Sequence, residues 1–102
     1  MRIEVTANDD FVSPRTRSYA EYRLFTTLAR HAAVIQRVWV ILGSSDPHTD
    51  GRFTCEVDVS LRASGSARVL AHGPNMHGAI DTAAERIGHV IDRLEASTGD
   101  SD

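Results

Sequence analysis

The longest unbroken alternation in the chain runs from Arg52 to Arg62. Phe53, Cys55, Val57, Val59 and Leu61 fall on one side, and Arg52, Thr54, Glu56, Asp58, Ser60 and Arg62 on the other. Successive side chains on a strand face opposite ways, so this spacing predicts a long strand with one buried and one wet face. A helix would scatter the five apolar residues around its circumference. A slip of one residue would turn the whole apolar set outward, so the register is firmly specified.

The rest of the chain supplies neighbours and a cover for that strand. Arg2-Ile3-Glu4-Val5-Thr6 alternates as a short strand and stops at the polar turn Asn8-Asp9-Asp10. Ser13 is placed to cap a helix, and Pro14 suits its first position, where a missing N–H costs nothing. A helical pattern then runs from Arg15 to about Ala33, with Tyr22, Leu24, Phe25, Leu28 and Ala32 at three- and four-residue spacing. Val34-Ile35-Gln36 leads into Arg37-Val38-Trp39-Val40-Ile41-Leu42, a continuous β-branched and aromatic run expected of an inner strand. The polar stretch from Gly43 to Gly51 makes a wide hairpin loop into the central strand. Ala63-Ser64-Gly65-Ser66 is a tighter turn, and Ala67 to His72 forms the fourth strand.

Gly73-Pro74-Asn75 opens the last helix, with Asn75 as its cap and Met76 filling the core. Its stripe is Ile80, Ala83, Ala84, Ile87, Val90, Ile91 and Leu94. Gly78 and Gly88 weaken it by up to about 1 kcal/mol each relative to Ala. The polar, acidic stretch from Glu95 to Asp102 reads as a disordered tail, leaving one domain over residues 1–94. The order β-α-β-β-β-α predicts an α+β sandwich, a four-stranded sheet with two helices on one face. The first and second strands run parallel across a right-handed helical crossover, and the last three form an antiparallel meander. Trp39 alternates with Val38 and Val40, so it either packs against the helices or stands on the open sheet face as a platform for a partner.

Composition narrows the function. The 102 residues carry a net charge of −3, and all eleven basic residues are arginine. An acidic chain is not a generic nucleic-acid binder, for which a basic surface is the usual footprint. Distribution qualifies that: Arg15, Arg17, Arg23 and Arg30 face only Glu21 on the first helix, which is net +3, whereas the last helix is net −2. Cys55 stands alone on the apolar strand face, a buried and inert thiol that fits a reducing cytoplasm. No apolar run reaches signal-peptide or membrane-span length. Glycine-rich phosphate loops, nucleophile elbows and zinc motifs are absent. The five histidines lack metal-ligand spacing, and Glu56 and Asp58 are neighbours on a solvated strand face. Neither an enzyme nor a cofactor is expected.

Four pieces of the sequence resemble a known family, the ribosome hibernation factors, also called sigma-54 modulation or ribosome-associated inhibitor proteins. Ile3-Glu4-Val5-Thr6 followed by Val12-Ser13-Pro14 is similar to the family's I-x-I-T … V-T-P opening. Leu28-Ala29-Arg30-His31, running through to Leu42, resembles L-E-R-H … V-x-V-x-L. The central strand matches A-E-V-x-L in place and pattern. Asn75-Met76-His77-Gly78-Ala79-Ile80-Asp81 resembles D-M-Y-A-A-I-D, the most specific of the four. The resemblance spans about residues 2 to 94.

It implies a fold like that of double-stranded-RNA-binding domains. It also implies a cytoplasmic translation inhibitor that binds ribosomal RNA of the small subunit, in the channel used by messenger and transfer RNA. The chain resembles the family's short form, without the C-terminal dimerisation domain. The RNA-binding residues so implied are Arg15, Arg17, Arg23, Arg30, Arg37, Asn75, His77, Arg86 and Arg93. Read from the residues alone, the arginines equally form a solvated surface paired with Glu21, Glu85 or Asp92, Asn75 is a cap, and His77 lies at the surface. The family's G-R-N after the first strand is here Ala7-Asn8-Asp9, and lysines expected near Thr26 and Thr27 are neutral. These departures define an alternative: a divergent member without RNA binding, acting as a protein-interaction module or self-associating through a sheet edge or the open sheet face.

Overall fold

A computed structural model describes residues 1–8, 12–44, 52–63 and 65–99, with side chains through residue 96. Its elements are β1 (Arg2–Ala7), α1 (Pro14–Leu28), a 3-10 turn (Ala29–His31), β2 (Ile35–Ser44), β3 (Phe53–Leu61), β4 (Ser66–Gly73) and α2 (Met76–Gly99). The sheet order is β1-β2-β3-β4, with β1 parallel to β2 and the other two pairings antiparallel. The expected α+β architecture is the one formed. The predicted turn at Asn8-Asp9-Asp10 falls largely outside the described residues, as do the loop from Ser45 to Gly51 and Ser64 of the tighter turn. Gly65 takes φ of 89°, a conformation that favours glycine, and its carbonyl accepts from the Leu61 N–H.

The two faces of the sheet sort as the alternation requires. Val5, Val40, Val57 and Val69 form one row across all four strands on the helix-covered face. The next row, Glu4, Trp39, Asp58 and Arg68, lies on the uncovered face. Trp39 is therefore on the open side, half-buried, with the Arg37 guanidinium 5.3 Å from its ring centroid. Register decides this: its neighbours Val38 and Val40 are both fully buried under the helices.

Ser13 caps α1 by accepting from the Thr16 N–H at 3.1 Å, and Asn75 caps α2 by accepting from the Gly78 N–H at 2.7 Å. Leu24, Leu28, Ile80, Ile87 and Ile91 are fully buried, and full burial of such side chains is worth about 1.5–3 kcal/mol each. That apolar contact fastens both helices to the sheet.

Three expectations are corrected. The stripe of α1 is Ala20, Leu24 and Leu28, while Tyr22 and Phe25 are 65% and 55% exposed; a strict four-residue step faces the sheet and leaves both aromatics off it. The helix does not continue to Ala33. It tightens into a 3-10 turn that carries His31 into the interior, against α2. Finally, α2 runs on through Gly99 instead of ending at Leu94, and its Glu95 engages His31. Among the described residues, no helix is long and apolar enough to cross a membrane.

Candidate nucleic-acid interface

The helices lie side by side and run in the same direction. Ties between them climb both chains together. Tyr19 Oη donates to Asp81 Oδ1 at 2.5 Å, and Arg23 Nε donates to the same oxygen at 3.2 Å. Further along, Arg30 Nη2 donates to both carboxylate oxygens of Asp92 at 2.6 and 2.7 Å. The His31 ring lies between Asp92, 2.7 Å from Nε2, and Glu95, which meets Nδ1. Hydrogen bonding to the Asp81 carboxylate, together with partial burial, raises the Tyr19 phenol above its usual range.

Because the helices are parallel, both N-termini open at one end of the molecule. Neither helix has an acidic residue in its first turn. The unpaired N–H groups and the aligned peptide dipoles make such an end electropositive. Arg15 and Arg17 stand there, exposed, and make no side-chain hydrogen bond or ion pair among the described residues. Arg15 precedes Tyr19 and Arg23 at four-residue steps, so it continues the stripe that faces α2. His77 lies at the same end, exposed, its ring edge-on to Tyr19 with centroids 4.5 Å apart.

The nine sequence-derived residues thus divide by environment. Arg15, Arg17, Asn75 and His77 gather at the N-terminal end of the helix pair. Asn75 spends its side chain on the cap. Arg23 and Arg30 are tied to Asp81 and Asp92. Arg93 is exposed and unpaired among the described residues, at the far end of α2. Arg86 turns away from α1 and donates to the Leu70 carbonyl of β4 at 3.3 Å. Arg37 lies across the sheet from all of them. Sequence reasoning named Asp92 as an arginine partner but missed Tyr19, Asp81, His31 and Glu95 as the stitching between helices. The paired residues lie roughly sixty positions apart, beyond any local spacing signal.

Comparison with known proteins completes the picture. The family model for Sigma 54 modulation protein / S30EA ribosomal protein matches residues 3–97. The fold is similar to that of a ribosomal subunit interface protein from Coxiella burnetii, with a TM-score of 0.75 and 17% identity over 94% of this chain and 99% of that one. It is also similar to the N-terminal domain of Protein Y from Thermus thermophilus, with a TM-score of 0.70 and 19% identity over 91% and 94% of the two chains. No curated protein sequence matches this one.

Proposed function

The chain belongs to the Sigma 54 modulation protein / S30EA ribosomal protein family, and from that premise we propose that it is a translation inhibitor that binds small-subunit ribosomal RNA in the decoding channel. Its place of action is the cytoplasm. The observation that carries the reading is the end of the helix pair where Arg15 and Arg17, unpaired among the described residues, stand beside two helix N-termini whose first turns hold no acidic residue. Phosphates are the natural ligand of such an end. Arg93 offers a further cation at the opposite end of α2. Occupation of the channel excludes messenger and transfer RNA, so binding and inhibition are one event.

Co-sedimentation with small ribosomal subunits over a salt series tests it. The wild type pellets with the subunit at low salt and is released steeply as salt rises. Replacing Arg15 and Arg17 with Glu abolishes recovery at low salt. Replacing both with Ala lowers the slope of log affinity against log salt by about 0.7–0.9 for each phosphate that is no longer neutralised. An unchanged slope overturns the proposed surface. Arg23 and Arg30 are unsuitable probes, because their loss unpairs Asp81 and Asp92 and loosens the helices.

A second reading keeps the fold without RNA binding and gives the molecule a protein partner. The open sheet face favours it: Arg2, Arg37 and Arg68 there are matched in number by Glu4, Glu56 and Asp58, around the half-buried Trp39. Failure of the wild type to pellet at any salt concentration selects this reading.

A further inference from the structure

The sheet has two edges, and they are finished differently. At β4 the Arg86 guanidinium reaches over the edge and donates to the Leu70 carbonyl. A charged side chain on an edge carbonyl is a common way to block strand addition. β1, at the other end of the sheet, has no such cover among the described residues. Beside it, Met1, Ile3, Ser18, Glu21, Tyr22 and Phe25 line an apolar cleft between β1 and α1. Two exposed aromatic rings flanking an open strand edge form an apolar patch that invites a cover.

The sequence of β1 says what fits. Arg2 and Glu4 lie on the open sheet face, with Nε 3.3 Å from Oε1, and Ile3 and Val5 lie on the helix side. When a second copy pairs antiparallel on this edge with Ile3 opposite its own counterpart, Arg2 falls opposite the partner's Glu4 and Glu4 opposite the partner's Arg2. Met1 then faces the partner's Val5, so the apolar side matches as well. The register two residues along would set Glu4 against Glu4, and like charges directly opposite are destabilising. The β1 edge is self-complementary in one register.

We infer that β1 is the contact edge of a symmetric homodimer, in which two sheets join antiparallel through Ile3 and each cleft of Tyr22 and Phe25 is covered by the partner's first strand. The contact is isologous, as expected for a two-fold dimer. It does not depend on the ribosomal reading, since the helix N-termini and the β1 edge share no residue.

Sedimentation equilibrium from micromolar to millimolar concentration tests it, with circular dichroism confirming that each variant is folded. The wild type shows a reversible monomer–dimer equilibrium. Glu4→Arg sets arginine against arginine at two symmetric positions and raises the dissociation constant by about tenfold. The exchanged variant Arg2→Glu/Glu4→Arg restores opposite charges and returns the dissociation constant to the wild-type value. A wild type that is monomeric throughout overturns the inference and leaves the cleft to an extended segment of another protein. A dimer insensitive to Glu4→Arg, or one not rescued by the exchange, overturns the β1 register.

Discussion

Asp92 shows how one carboxylate can tie two elements together, since it accepts from Arg30 and meets the His31 ring. The hydrogen bond with the His31 ring, aided by the Arg30 guanidinium beside it, holds the carboxyl below the usual carboxylate range against an opposing desolvation. A carboxyl whose folded pKa is depressed adds stability above its unfolded pKa. That stability is lost as pH falls through the folded value. Melting temperatures measured downward from neutral pH therefore fall faster for the wild type than for Asp92→Asn, and the gap between them closes below about pH 4. A gap that stays constant would mean the carboxylate charge contributes nothing. Cys55 behaves as its place in the alternation requires: burial pushes its thiol up to about 12, so it is neutral and shielded in the folded protein.

At the scale of elements, the crossing of the two helices depends on Gly88. A Cβ added there would meet Thr27 Cγ2 at 2.9 Å, and Thr27 is held in place because its hydroxyl accepts from Arg23 Nη1 at 3.0 Å. The glycine that weakens α2 by helix propensity is thus the one that lets α1 approach. Gly88→Ala should lower stability despite the better propensity of alanine. Adding Thr27→Ser removes the methyl group, keeps the hydroxyl, and should expose a gain of about 1 kcal/mol for Gly88→Ala relative to the Thr27→Ser single variant. Chemical denaturation of the two single variants and the double variant measures this coupling; simple additivity would show that the helices do not touch there.

At the scale of the whole molecule, a net charge of −3 conceals a division of surfaces. Arg15 and Arg17, unpaired among the described residues, stand where both helices begin, the acidic residues of α2 are partly consumed in ties to α1, and the charges within the strands balance on the open sheet face. The two proposed surfaces should act independently. Arg15→Glu/Arg17→Glu should remove ribosome recovery while leaving the dimer dissociation constant unchanged, and Glu4→Arg should weaken the dimer without altering sedimentation with the small subunit at protein concentrations where the wild type is monomeric. Coupled losses in both assays would join the surfaces into one. The strands, both caps and the element order were legible because alternation, capping chemistry and turn residues are local. The exposure of Tyr22 and Phe25 was not, because three- and four-residue spacing admits more than one stripe and only packing on the sheet selects Ala20, Leu24 and Leu28. The sequence by itself determined which residues share a strand face and where each helix starts, since those follow from backbone periodicity and hydrogen-bond satisfaction within a few residues. Only the tertiary structure decided which arginines are free and which are paired, and that Trp39 faces away from the helices. Those outcomes depend on the register and crossing of elements far apart in the chain.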